Sequence, residues 1–307
     1  MTPLRQAIRE YVALRRSVGY HLDNAARDLA HFATFLEQQG ADGITVARAL
    51  EWATHGPAVQ PATWARRLTA VRGFARHWQA SDPRTEVPPV GLLPGHARRA
   101  RPHLYTAAEI QRLLAAAQAL PPLRGATYGC LLGLLAVTGL RPGEALALTP
   151  ADVDLHAGIL TIRQAKFGKS RLVPVHPSTQ RALRAYARQR TAWLAGRPAP
   201  TFFVSDRGGR LVGAVVDRAF AALSRQSGLR GPTDTRGPRL HDFRHRFAVE
   251  TLVRWYRAGH DAERRLPILA TYLGHAHVTH TYWYLSACPE LLGLARARLE
   301  RRWEAHS

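Results

Sequence analysis

Apolar residues recur at helical spacing through the first part of the chain. Leu4, Ile8, Tyr11 and Val12 fall on one stripe; Leu22, Ala26, Leu29, Phe32, Ala33 and Leu36 form a second and stop at Gly40; Trp64, Leu68, Val71, Phe74, Ala75 and Trp78 form a third. A helical domain over residues 1–80 is therefore expected. Ser81 to His103 then holds Pro83, Pro88, Pro89, Pro94 and Pro102, a composition that blocks helix and sheet and predicts a linker over 81–103. Regular structure resumes at Thr106-Ala-Ala-Glu109, a capping box opening the helix that holds Ile110, Leu113 and Leu114. Farther on, Gly158 to Gln164 and Arg171 to His176 are β-rich runs around a glycine-containing turn, and helical patterns follow at Ser178 to Leu194, Val215 to Ser227 and Leu240 to Trp255. The predicted fold is mainly α with a small antiparallel β-sheet: a helical domain, a linker, and a mixed α+β domain over 104–307.

A length of 307 residues fits two such domains. Composition adds a partner. Lys plus Arg number 43 against 22 Asp plus Glu, a formal net charge of +21, which favours nucleic acid. A membrane surface is the blander reading, but no Lys/Arg-rich amphipathic helix stands beside a lipidation motif. The longest apolar stretch, Tyr128 to Leu140, is too short and glycine-broken to span a bilayer, and Met1 to Gly19 reads as an amphipathic helix rather than a signal peptide. Cys130 and Cys288 suggest neither a disulfide framework nor a zinc motif, so a cytoplasmic protein is expected. Arg66 and Arg67 lie among the apolar positions of the third stripe, either as its solvated face or, as expected in so basic a chain, as phosphate contacts. Arg98, Arg99 and Arg101 make the linker basic, as suits a strap crossing a duplex backbone.

The last third carries His241-Asp-Phe-Arg244-His245, then Leu273-Gly-His275, then Tyr284 nine residues beyond that histidine. Histidine, arginine and tyrosine are what a metal-free enzyme needs to grip a phosphate and attack it with a phenolate. His241 and Arg244, three apart, share a helix face and can reach one phosphate. Arg141 joins them from Thr138-Gly-Leu-Arg141-Pro-Gly-Glu144: Gly139 can end the preceding helix and Pro142 favours a first helical position, which places Arg141 at a helix start. The blander alternative is an Arg141–Glu144 surface pair. Of 43 Lys plus Arg, only Lys166 and Lys169 are lysines, both in the hairpin. Unlike arginine, a lysine crowded by cations can shift toward neutrality and serve as a general acid. His-x-His-x-x-His from His275 to His280 lacks a carboxylate or cysteine nearby, so no metal or other cofactor is expected.

This ordered set of Arg, Lys, His-x-x-Arg, Leu-Gly-His and Tyr resembles the tyrosine recombinases, the phage integrase family, over nearly all of the chain. The resemblance implies a helical core-binding domain and a catalytic domain closing as a clamp around double-stranded DNA. It implies Tyr284, rather than Tyr282, as nucleophile; Arg141, Arg244 and His275 as phosphate grip; His241 as base; Lys166 as general acid, with Lys169 the alternative and otherwise a DNA contact; and Glu144 as a supporting acid. It also implies a tetramer on DNA with a C-terminal exchange helix at Pro289 to Trp303, and an intramolecular cap is the other reading of that segment. Trp283 before Tyr284 resembles recombinases that transposable elements encode in groups, which adds sister recombinases as partners. The implied activity is site-specific strand cleavage and rejoining for integration, excision or transposition. The rivals are type IB topoisomerase-like relaxation and a DNA-binding accessory protein that does not cleave.

Overall fold

The computed structural model describes residues 3–41, 43–56, 60–95, 101–163, 170–275, 277–284 and 288–304, without the side chains of His280, Arg301 and Arg302. The sequence-predicted sites Arg98, Arg99, Lys166 and Lys169, and the hairpin turn around Gly168, lie outside the described residues. The chain forms two compact units, Met1–Ala100 and Arg101–Ser307.

Among the described residues the first unit has four helices: α1 (Pro3–Ser17), α2 (Asp23–Gln38), α3 (Val46–Thr54) and α4 (Pro61–Trp78). Their apolar stripes meet in one core in which Leu29, Phe32, Leu36, Val71 and Phe74 are fully buried. Each such side chain contributes about 1.5–3 kcal/mol relative to exposure. Residues 81–95, expected as the start of a linker, instead pack on this unit. Val87 and Leu93 lie against its core, Glu86 caps α3 by accepting from the Val46 N–H at 2.7 Å, and Arg72 donates to the carbonyls of Pro88 and Pro89 at 2.7 and 2.8 Å. Prolines cannot donate, but their carbonyls still accept, so an arginine on a neighbouring helix can pin such a run in place.

The second unit opens with α5 (Ala107–Gln118), begun by the Thr106–Glu109 capping box, and α6 (Pro122–Thr138), ended by Gly139 in the left-handed region at φ 61°. A short helix α7 (Pro142–Ala147) leads to an antiparallel sheet of β1 (Val153–Asp154), β2 (Ile159–Ile162) and β3 (Arg171–Pro174) in the order β1-β2-β3. In its register Ile162 faces Arg171 and Leu160 faces Val173. Then come α8 (Pro177–Leu194), α9 (Gly213–Gln226), α10 (Asp242–Arg257), α11 (Ala262–Leu273), α12 (Thr279–Tyr282) and α13 (Pro289–Glu304). The fold is thus mainly helical with a small antiparallel sheet. The two-residue strand β1 is too short to leave a periodic signal in the sequence.

Among the described residues two cores organise this unit. The larger runs from α5 and α6 through the sheet to α9 and ends on Phe243 of α10. The smaller, around Leu252, Leu266, Leu269 and Leu273, also takes in Tyr284 and Leu291. Helix α13 packs on α10 through Leu291 and Leu294, while Leu292, Leu299 and Trp303 on it stay exposed. Helix α10 therefore lies where the two cores meet. It is also clasped by the incoming chain: Tyr105 stacks on Phe243 at 4.4 Å between centroids and donates its hydroxyl to the Arg239 carbonyl at 2.9 Å, and the Arg246 Nε donates to the Tyr105 carbonyl at 2.6 Å. Among the described residues, no helix is long and apolar enough to cross a membrane.

Candidate active site

Glycine ends the α6 helix, and two residues later Arg141 stands at the N-cap of α7. A side chain at position 139 would put its Cβ 2.6 Å from the Phe247 ring, so both the positive φ and the close approach require glycine there. The Arg141 Nη1 donates to Glu144 Oε1 at 2.7 Å, its backbone N–H donates to Oε2 at 3.0 Å, and its Nη2 donates to the Gly274 carbonyl at 3.1 Å. The expected helix-start position and the plain Arg141–Glu144 pair are thus both present. Burial alone would raise the Glu144 pKa. Hydrogen bonds and charge from Arg171 and Arg141 outweigh that and hold its carboxyl down at about 2.

Arg244 projects from the first turn of α10 into the interior and is 1% exposed. Its Nη1 donates to the Gly139 carbonyl at 3.0 Å and its Nη2 to the Leu273 carbonyl at 2.6 Å, so the last turns of α6 and α11 hold it from two sides. Burial pulls its pKa below the usual value to about 10, with the Arg141 cation pushing the same way and Tyr284 opposing. It remains charged at neutral pH. Its acceptors are buried carbonyls rather than a surface carboxylate.

His241 is the N-cap of α10 and makes no side-chain cap; Asp242 instead takes the Arg239 backbone N–H at 2.9 Å and its Nη2 at 2.9 Å. Desolvation, and then the Arg244 cation, lower the His241 pKa. The His275 Nδ1 meets the Thr281 hydroxyl at 2.8 Å, and its ring stacks on Tyr284 at 6.0 Å between centroids. Tyr284 is 3% exposed, whereas Tyr282 is 50% exposed. Arg141, Glu144, His241, Arg244, His275 and Tyr284 thus come together. Arg66 and Arg67 belong to the other unit, where Arg66 pairs with Asp28 and Arg67 donates to the His55 carbonyl at 3.1 Å. Arg101 is exposed.

Two residues without an expected role also join the cluster. Arg171, at the start of β3, grips both oxygens of Glu144, so two guanidinium groups hold one carboxylate, and with the Arg244 cation close enough to feel that charge, positive charge is left over for an anion. His245 packs against His241, Trp283 and Tyr284 at centroid distances of 5.0, 4.9 and 5.5 Å, and its Nδ1 is buried without a hydrogen-bond partner. The signals for them were faint: the first residue of a predicted strand, and an extra histidine after a motif.

Burial, reinforced by His241, lowers the His245 pKa from 6.5 to about 4. An unfolded chain takes up this proton as pH falls through the ordinary histidine range, and the native chain does so only near the lower value. Stability is therefore lost from about pH 6.5 down to about pH 4 and levels off below, whereas the Glu144 contribution is lost only from about pH 4.5 down toward 2. Discounted for partial solvent screening, the His245 effect is on the order of 2 kcal/mol. Urea unfolding of His245→Asn should show a correspondingly smaller decline than wild type between pH 7 and pH 4. Parallel curves would remove His245 from the acid response.

Comparison with known proteins identifies the family. Residues 104–290 match the phage integrase family. The chain is 54% identical over 99% of its length, and 99% of the relative's, to a protein named as an integrase/recombinase, y4rB, of Sinorhizobium fredii. It is 31% identical to the tyrosine recombinase XerD of Caulobacter vibrioides, covering 93% of this chain and 92% of that one. Among solved structures, the Tn1549 transposon integrase in complex with transposon right-end DNA aligns with TM-score 0.66 at 19% identity over 98% of this chain and 99% of that one. A lambda integrase tetramer bound to a Holliday junction aligns with TM-score 0.62 at 20% identity over 92% and 76%. At those identities the structures speak for the fold, and the family match and the sequence relatives carry the rest: the chain belongs to the phage integrase family and is a tyrosine-type site-specific DNA recombinase.

Proposed function

We propose that the chain cuts and rejoins double-stranded DNA through a covalent phosphotyrosyl intermediate in the service of a mobile element. The observation that carries this reading is the meeting of Tyr284 with Arg244, His275 and the Arg141–Glu144 pair in one cationic cluster. The Tyr284 hydroxyl oxygen attacks phosphorus as its proton passes to the neutral His241 ring, and the bond from phosphorus to the 5′ oxygen breaks. That oxygen takes a proton from Lys166. A 3′-phosphotyrosyl enzyme and a free 5′ hydroxyl result. A 5′ hydroxyl from a partner duplex reverses the step, regenerating a phosphodiester of similar energy without ATP. Arg141, Arg244 and His275 carry the charge on the non-bridging oxygens.

Arg66, Arg67, Arg98, Arg99, Arg101 and Lys169 serve as backbone contacts in this reading, with the +21 charge as their general support. Arg66 and Arg67 can do so only with the N–H groups left over from their partners within the first unit. Two relatives are named as integrases or recombinases and two structural neighbours are held on DNA, one as a tetramer; these support DNA binding and oligomerisation, which this reading takes to be a homo-tetramer on DNA, with sister recombinases as further partners on the strength of the sequence alone. The exposed Leu292, Leu299 and Trp303 on α13 suit its exchange between neighbours.

A pool of nicked duplexes with a randomised core tests the reading. Wild type should retain a subset through denaturing detergent, and sequencing that subset gives the site and the position of the covalent junction. No retained DNA at any protein concentration would overturn covalent cleavage. Relaxation of any supercoiled plasmid with no sequence enriched in the pool would instead favour a topoisomerase.

A further inference from the structure

We infer that Arg171 is a positioning residue for the phosphate grip, acting through Glu144 and the Gly274 turn to aim Arg141. The inference rests on the cleavage reading above and adds to it a residue that touches no substrate. Its side chain is 10% exposed, and each of its three nitrogens donates into the protein: Nε to the Tyr272 carbonyl at 2.8 Å, Nη1 to Glu144 Oε1 at 3.1 Å and Nη2 to Glu144 Oε2 at 2.8 Å. Glu144 faces Arg141 with those same two oxygens. The Tyr272 carbonyl lies two residues before Gly274, whose own carbonyl receives the Arg141 Nη2. Arg171 thus holds both of the supports on which the Arg141 side chain rests.

The turn between those supports is built around Arg171. Gly274 has φ 68°, and a Cβ there would fall 2.7 Å from the Arg171 Nη1. The guanidinium therefore fills the space behind the Leu-Gly-His turn, one residue before His275. A lysine could not replace it, because one ammonium cannot present a flat fork to a carboxylate while also reaching a carbonyl on a third element. Arg141 spends two N–H groups on the protein, and a guanidinium has five, so donors remain for a phosphate once its direction is set. With Arg171 removed, Glu144 keeps its negative charge but loses the fork that fixes its plane, and Arg141 can follow it away from the phosphate.

The test uses the duplex selected from the randomised pool, made with either the ordinary scissile phosphodiester or a methylphosphonate in its place. The methylphosphonate lacks the charge that Arg141 is held to neutralise. Arg171→Ala and Arg171→Lys should slow covalent capture on the phosphodiester by about 10²-fold, and the loss on the methylphosphonate should be at least about tenfold smaller. Arg141→Ala should show the same substrate selectivity, and adding Arg171→Ala to it should cost less than about threefold more on the phosphodiester. Glu144→Gln, which preserves shape, should shift the ratio of the two substrates the same way and covers the case in which Arg171→Ala folds poorly. Equal losses on both substrates for the Arg171 variants, with Arg141→Ala still selective, would overturn the positioning role alone. A wild type that captures neither duplex would overturn the cleavage reading and this one with it.

Discussion

Tyr284→Phe should form no covalent adduct at all, while folding and binding DNA almost as wild type does. The substitution deletes one oxygen from a ring that is 3% exposed and packed among His245, His275 and Trp283, and the phenylalanine keeps those ring contacts. Arg244 loses the neighbouring phenol but retains the carbonyls of Gly139 and Leu273, so stability should change by no more than about 1 kcal/mol. The chemical loss is complete because no other hydroxyl in the cluster is proposed to attack phosphorus. Tyr282→Phe is the matched control. That ring is 50% exposed on α12, and its variant should still capture DNA. Trapping each protein on a nicked duplex and resolving it on a denaturing gel separates the two, and a shifted band from Tyr284→Phe would reassign the nucleophile.

Lys166→Arg should bind DNA with unchanged affinity and cleave about 10²-fold more slowly, or worse. Arginine keeps the positive charge but holds its proton too tightly to hand it to a departing alkoxide. A duplex with sulfur at the 5′ bridging position expels a thiolate that needs no such proton, so that substrate should restore the variant to near the wild-type rate. If Lys169→Arg shows the rescue and Lys166→Arg does not, the acid is the other lysine. This rescue probes the leaving oxygen, whereas the methylphosphonate probes the non-bridging ones, so the two experiments keep Lys166 and Arg171 apart even though both stand between β2 and the end of β3 in the chain.

Local rules were enough to place Arg141. A glycine that stops α6, a proline that starts α7 and an acid three residues on left the arginine little choice of position. The same applies to the Thr106–Glu109 capping box and to the apolar stripes of α2 and α4, whose periods report burial directly. Arg171 could not be read this way. Its partners lie 27 residues back at Glu144 and 101 residues ahead at Tyr272, and no spacing rule links positions so distant. His245 looked like a spare histidine because its place follows from the packing of Trp283 and Tyr284 against α10. Residues 81–95 misled for a related reason: proline content forbids regular structure but says nothing about whether an arginine elsewhere will hold the run in place.

Arg244 is anchored to Gly139, 105 residues before it, and to Leu273, 29 residues after it, while Arg141 reaches 133 residues forward to Gly274. Contacts with such separations close late, after local helices have formed. A polypeptide leaving the ribosome can complete the helical unit and most of the larger core while the Leu273 and Gly274 carbonyls are still missing. Until α11 has emerged, the guanidinium of Arg244 has lost one of its two anchors and Arg141 has no turn to lean on. A nascent or prematurely truncated chain can therefore carry the surface that attracts DNA without the means to break it. On the proposed cleavage mechanism, strand scission therefore waits until α11 has emerged and packed.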